Sequence, residues 1–231
     1  MIDIIILTKD HIEDTKKCIE SINTKYPYQL IVVDSGSTDG TQEYCERKGA
    51  MVIPTKGKFV FARNVNIGVK FGKNPLKLIC NNDIEFTPGA IDAMVQQLPG
   101  PARPHIPVNI GMVGPYSNGV MNPDQKAQSA GVAKDTYRTM NFFCVLIHNE
   151  VFNKIGYLDK QFSGYGCEDD DFCICYLKAG GKMRVAPAFV KHNCTTTYKE
   201  MNKKPLFQYN KKRFRRKWGT GPAQDWRTLL V

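Results

Sequence analysis

Between residues 2 and 83 the sequence alternates four short apolar runs with stretches of helical period, and that alternation restricts the fold more than any other feature. The runs are "IDIIILT" (2–8), "QLIVVDSG" (29–36), "AMVIP" (50–54) and "LKLICNND" (76–83). The first is apolar at every position except Asp3 and Thr8, the pattern of a strand buried on both faces. Residues 11–24, the segment "TDGTQEYCERKG" and residues 60–72 fall between the runs. The first of these predicts a helix that buries Ile12, Cys18, Ile19 and Ile22. The second predicts a helix capped by Thr38 or Asp39 and stopped at Gly49. Strands separated by helices of this length predict parallel βαβ units. In open sheets of that kind, ligands bind beyond the carboxyl ends of the strands.

The later chain is less regular. A helix is predicted at about 88–97, then a proline-rich loop over 99–109. "IGMVGP" is a further strand, and residues 116–131 form a long loop or a covering flap. Residues 141–156 run from strand into helix, "CEDDDFCICYLKAGG" (167–181) is a helix stopped by glycines, and "KMRVAP" is a late strand. The expected fold class is α/β: one Rossmann-like domain, a mostly parallel mixed sheet with helices on both faces, and a basic helical tail. The boundaries are 1–198 for the domain, in two halves (1–98 and 99–198), and 199–231 for the extension.

Charge is concentrated in that extension. The 231 residues carry a formal charge of +10, and residues 199–217 hold nine Lys or Arg against one acid, Glu200. The remainder is therefore nearly neutral. The opening apolar run is too short for a membrane span or a secretion signal and carries Asp3 where a signal would carry a cation. These features predict a protein that stays in the cytoplasm. The eight cysteines then read as reduced thiols, mostly buried, with no C-x-x-C pair to suggest zinc.

Several polar groups sit where chemistry would occur. Asp83 ends a buried strand after Asn81 and Asn82. A hard divalent cation such as Mg²⁺ or Mn²⁺ takes one or two protein carboxylates and leaves its other positions to phosphate and water. The same Asn-Asn-Asp is equally a turn sequence. Asp34 precedes the turn "SGSTDG" and is not explained by helix capping. That loop is neither a G-x-G-x-x-G nor a P-loop. "GYGCEDDDFC" (164–173) places Glu168, Asp169, Asp170 and Asp171 in succession. A helix start favours one or two acids; four crowded carboxylates raise one another's pKa and suit one of them to accept a proton. Glu168 and Asp171 would place it and Asp170 would be solvated. Gly164 and Gly166 suggest a close backbone approach. His192, after "RVAPAFV", is a candidate metal ligand or an ordinary polar residue.

The segments "IIILTKDHIEDTKKCIESI", "IVVDSGSTDGT", "FARNVNIGVK", "LICNNDIEFTPGAI", "VFNKIGYLDKQF", "GYGCEDDDFCICYLKAGGKMRV" and "VKHN" together resemble the family 2 glycosyltransferases, most of all their rhamnosyltransferase-like branch. The resemblance covers nearly the whole chain and implies the nucleotide-diphospho-sugar transferase fold. It implies that Thr8, Asp34 and Ser37 lie at the donor nucleoside, that Arg63 and Asn64 lie near its ribose or diphosphate, and that Asn81 and Asn82 belong to the same donor site. It implies that Asp83 and His192 hold Mn²⁺ or Mg²⁺. It further implies that Asp169, beside Glu168, is the base of an inverting transfer from a nucleotide-diphospho-sugar to a glycan or lipid-linked acceptor. Asn81 stands where the family's D-x-D motif has its first acid, "NFFCVLI" replaces a glycine-rich segment, and Cys175 stands where relatives often carry arginine. The basic tail, with "QYNKKRFRRKWG", is a candidate contact for the inner face of an anionic membrane or, alternatively, for nucleic acid. A sugar-nucleotide binder without turnover is the remaining reading.

Overall fold

The computed structural model describes residues 1–193, 205–222 and 224–230. Cys194 and the tail cations Lys199, Lys203 and Lys204 lie outside the described residues.

The four apolar runs form β1 (Ile2–Thr8), β2 (Tyr28–Asp34), β3 (Met51–Pro54) and β4 (Leu76–Asn81), all mutually parallel, with β1 between β2 and β4. The intervening segments form α1 (Ile12–Glu20), α2 (Thr41–Arg47) and α3 (Phe61–Phe71). β1 explains the β-branched run: Ile2, Ile4 and Ile6 pack on one face of the sheet, Ile5 and Leu7 on the other. Two hydrophobic layers result. One is shared with α1, α2 and α4 (Ala90–Val95), the other with α3, α5 (Asn149–Ile155) and α6 (Glu168–Lys178). Asp3 pairs in register with Lys77 across β1 and β4, with both side chains buried and Nζ 2.6 Å from Oδ2.

Beyond β4 the sheet becomes mixed. β8 (Cys144–His148) pairs antiparallel to β4, β6 (Ile110–Tyr116) antiparallel to β8, and β9 (Lys182–His192) parallel to β6. The order is β3-β2-β1-β4-β8-β6-β9-β5, with β7 (Lys134–Thr136) also on β9. The two longest ladders, β1 with β2 and β1 with β4, are parallel. Two short strands, β5 (Ile84–Phe86) and β7, went unpredicted because three residues carry no legible period. The late strand does not end at Pro187. Its register against β6 slips between Gly114 and Tyr116, so the proline sits in a bulge, where a missing N–H removes no ladder bond, and the strand continues to His192.

Two helix starts differ from expectation. Thr38 does not cap α2. Asp39 accepts hydrogen bonds from the backbone N–H of Thr41 and of Ile12 (3.2 and 2.9 Å), so one carboxylate ties the starts of α2 and α1 together. The basic segment forms α7 (Pro205–Trp218), followed by a 3₁₀ turn (Trp226–Leu229). Phe214 and Trp226 are fully buried in the layer that holds α6. Six of the seven described cysteines are buried and Cys175 is half-buried, all as free thiols.

Candidate active site

The carboxyl end of β4, the end of β9, the 117–121 loop and the start of α6 surround a cavity of about 380 Å³. Of the residues singled out in the sequence, Asn81, Asp83, Glu168, Asp169 and His192 line it. The side chains at 83 and 169 thus share one open space although 86 residues separate them in the chain.

On one side stands Asp83, buried, with neither carboxylate oxygen hydrogen-bonded among the described residues. A buried carboxylate without partners is costly, so this group is arranged for something it does not get from the protein. His192 Nε2 lies 3.4 Å from Asp83 Oδ1. The imidazole is held firmly. Its ring stacks on Phe143 with centroids 4.9 Å apart, and Nδ1 lies 2.7 Å from the Gly119 carbonyl oxygen. A carbonyl can only accept, so Nδ1 donates to it, and Nε2 is the ring nitrogen that faces Asp83. Asn118 fixes the strand end, accepting from the His192 N–H at 2.9 Å and donating to its carbonyl at 3.1 Å. An orphaned carboxylate beside an imidazole nitrogen fits a hard or borderline divalent cation. Among the described residues no three His, Cys, Asp or Glu side chains cluster closely enough to hold a metal alone. A site with two protein ligands leaves positions for phosphate and water.

On the other side is the start of α6. Glu168 is buried with Oε2 unpartnered, and burial, reinforced by the Asp169 charge, pushes its carboxyl well above the usual range. Asp169 is half-buried. Withdrawal from water and then the Asp170 charge push it up to about 7, against hydrogen bonds from the Asp170 N–H and the Asn141 side chain that favour the anion. The pair therefore sits on raised ground: burial and the Asp169 charge push Glu168 well above the usual carboxyl range, and Asp169 is poised near neutrality. Such a pair suits one carboxyl to act as a base.

The other two acids differ from expectation. Asp170 is not solvated; it is buried and accepts a hydrogen bond from the Thr139 hydroxyl. Asp171 does not polarise Asp169. It turns to α7, accepting from Trp218 Nε1 at 2.7 Å and pairing with Lys217 Nζ at 2.7 Å. α6 is buried nearly all round, so consecutive acids meet different neighbours and take different tasks.

The remaining expected residues do not line this cavity. Asp34 is fully buried and saturated by its own surroundings: Thr8 Oγ1 (2.8 Å), the N–H groups of Gly36 and Ser37 (2.9 and 2.8 Å), Gln42 Nε2 (2.7 Å) and the Ser37 hydroxyl. It shapes the β2–α2 loop. Asn64, also fully buried, donates to Ser35 Oγ at 2.7 Å. Arg63 donates to the Lys58 carbonyl at 2.8 Å, and Asn82 donates to Thr15 Oγ1 at 3.0 Å. Sequence reading missed Asn118, Asn141, Phe143 and Tyr165, which line the cavity. Only the asparagine-rich character of the 116–131 segment pointed towards Asn118.

A second cavity of about 370 Å³ lies beyond Asp169 and shares Met121, Asn141, Tyr165, Glu168 and Asp169 with the first. The acid pair therefore forms a partition between two chambers.

Residues 3–156 match the family described as Glycosyl transferase family 2. The chain belongs to that family. A curated relative, the uncharacterized protein y4gI of Sinorhizobium fredii, is 26% identical over 220 residues; the match covers 78% of this chain and 23% of that protein, so the chain spans about a quarter of its length. Solved glycosyltransferase structures share the fold at low identity. The mannosyltransferase PcManGT from Pyrobaculum calidifontis, in complex with GDP-Man and Mn²⁺, superposes with a TM-score of 0.64 at 16% identity over 99% of this chain and 67% of that one. S. aureus TarS 1-349 gives 0.65 at 13% over 97% and 67%. GalNAc-T7 with UDP, GalNAc and Mn²⁺ gives 0.65 at 13% over 83% and 43%. The resemblance drawn from the seven motifs thus holds for the family and for the fold.

Proposed function

We propose that this family 2 protein transfers a glycosyl group from a nucleotide-diphospho-sugar to an acceptor hydroxyl, in one displacement with inversion. The observation that carries the reading is the partition: Asp83 and His192 face the first chamber, and Asp169, near neutrality, stands between it and the second. The donor occupies the first chamber, and the loop fixed by Thr8, Asp34 and Ser37 lies on the nucleoside side with Arg63, Asn64 and Asn82 behind it. The acceptor enters through the second. Asp83 and His192 would hold Mn²⁺ or Mg²⁺, which supplies charge compensation for a departing diphosphate. The Mn²⁺ in two fold neighbours is consistent with that donor set.

The protein groups then act as follows. Asp169 takes the proton of the acceptor hydroxyl. The acceptor oxygen forms its bond to the anomeric carbon while the bond from that carbon to the diphosphate oxygen breaks, and the leaving group departs with the electron pair. Glu168 stands beside Asp169, and burial, which pushes its carboxyl well above the usual range, disfavours a second negative charge at the reacting centre. Inversion is assigned because the proposed step is one displacement: Asp169 acts as base and no protein group bonds the anomeric carbon.

No described helix is long and apolar enough to cross a membrane. A cytoplasmic location, with the donor made and used in the same compartment, belongs to this proposal. On α7, Lys217 pairs with Asp171 and lies 3.8 Å from Asp159, and Arg213 lies 3.9 Å from Asp159, so part of its basic character serves the fold. This counts against a tail devoted to nucleic acid.

The test is a thermal-shift screen of UDP-, GDP- and dTDP-sugars with Mn²⁺, followed by transfer or donor hydrolysis with the ligand that raises Tm. NMR of the product then gives its anomeric configuration. Turnover with inversion is expected. Binding without turnover by the wild type would leave a sugar-nucleotide binder, and retained configuration would overturn Asp169 as the sole acting carboxylate.

A further inference from the structure

The second chamber has a charge pattern that glycosyl transfer to a neutral sugar does not require. Its far wall carries Arg138, Lys211 and Arg215. Lys211 and Arg215 stand four residues apart on α7 and so project from one face of that helix. Arg213 and Lys217, on its other side, are engaged by Asp159 and Asp171. Among the described residues neither Lys211 nor Arg215 has a carboxylate within 4 Å; the Lys211 ammonium instead sits 4.6 Å from the centre of the Phe207 ring. Arg138 reaches Asp124 and Asp225 only at 4.0 and 3.8 Å. Lys212 and Arg216 are exposed and also lack a carboxylate partner among the described residues, but they do not line the chamber; Lys211 and Arg215 alone of the helix's cations do.

The chamber is also concave and partly apolar, lined by Phe207, Tyr165, Met121 and Pro222. A concave wall with cations, beside aromatic faces, matches a small anion carried on a sugar or polyol rather than the flat surface of a bilayer. Arg in particular favours the bidentate geometry of phosphate. The three cations share the chamber with Asp169, so an anion bound there belongs to the molecule whose hydroxyl Asp169 would deprotonate.

We propose that the second chamber selects an acceptor bearing a phosphate group close to its reacting hydroxyl, and that Arg138, Lys211 and Arg215 bind that phosphate. This rests on the transferase reading given above.

The test uses the full chain with Mn²⁺ and a saturating nucleoside diphosphate, which occupies the first chamber and prevents phosphate from binding there. Glycerol 3-phosphate and glucose 6-phosphate are titrated by calorimetry beside glycerol and glucose, and in parallel the protein is mixed with vesicles of anionic or neutral phospholipid. The expected result is binding of the phosphorylated compounds at least tenfold tighter than of their neutral partners, weakened about tenfold by Lys211→Ala or Arg215→Ala and partly restored in Arg215→Lys. Both positions lie on the chamber side of α7, away from its buried contacts, and circular dichroism verifies the fold of each variant. Equal binding of phosphorylated and neutral compounds, or unaltered binding in both alanine variants, overturns the proposal. So does binding to anionic vesicles with none to the soluble phosphates, which would assign the cations to a membrane surface. Failure of every nucleoside diphosphate to bind with Mn²⁺ overturns the transferase reading instead. Titration of the same phosphates without nucleotide then shows separately whether the cations form an anion site.

Discussion

Asp169 owes its chemistry to its neighbours more than to itself. Burial and the Asp170 charge push it up to about 7, so in the free enzyme kcat/KM falls about tenfold per pH unit below that value. Asp170→Asn keeps an oxygen for the Thr139 hydroxyl and removes the charge, so the acidic limb moves to lower pH. Asn141→Ala removes a hydrogen bond that favours the anion and moves the limb to higher pH. A pH–rate profile of the two variants checks both signs. The linkage has the opposite sense for stability. A carboxyl whose folded pKa is raised costs nothing below its unfolded value near 4, and the cost grows as pH rises towards 7. Asp169→Asn is therefore expected to raise Tm at pH 8 while transfer is lost, and the gain vanishes at pH 4. At this scale the sequence showed Asp83, Asp169 and His192, because acids at strand ends and in a run stand out from an apolar background. It did not separate the tasks of the four acids, since adjacent carboxylates look alike until burial assigns each a neighbour. Asn118 and Asn141 were invisible because loop amides carry no period.

Among the elements, α7 decides how the proposed base is presented. Asn210 is fully buried, and its side chain donates to the carbonyls of Ser163, Tyr165 and Gly166 (2.9, 3.2 and 3.0 Å) and accepts from the Ser163 N–H (3.1 Å). It latches the loop that leads into α6. The close approach inferred for Gly164 and Gly166 is made by Leu206 and Phe207 of this helix. A Cβ at Gly166 would lie 2.6 Å from the Phe207 ring, at a φ of +101° that side chains rarely adopt. Asn210→Ala leaves those carbonyls without a donor and costs about 2–3 kcal/mol, read as a lower urea midpoint. Turnover falls further than donor binding, because the latch acts on the base and not on the metal ligands. The charge run hid this in the sequence: nine cations over residues 199–217 read as a solvated extension, and one asparagine and a few spaced aromatics do not reveal packing.

Across the whole molecule, the four parallel strands and their helices were legible because hydrophobic periodicity reports burial directly. The antiparallel insertion of β8 beside β4 was not, since pairing partners far apart in sequence leave no local trace. That insertion matters for function. β8 leads from Phe143, which stacks on His192, and pairs Cys144 with Cys80 at the end of β4, so the second half of the sheet builds the wall beside Asp83 in the cavity that Asp169 also lines. The central claim is a division of labour across that cavity, with the proposed metal ligands Asp83 and His192 on one side and the proposed base Asp169 on the other. The measurement that tests it is calorimetric titration of the preferred nucleoside diphosphate, with Mn²⁺, into Asp83→Ala and Asp169→Asn, beside transfer assays of both. Asp83→Ala is expected to lose at least tenfold in Mn²⁺-dependent affinity, whereas Asp169→Asn binds within about twofold of wild type and transfers at least a thousandfold more slowly. Unchanged affinity in Asp83→Ala, or undiminished transfer by Asp169→Asn, would contradict the account.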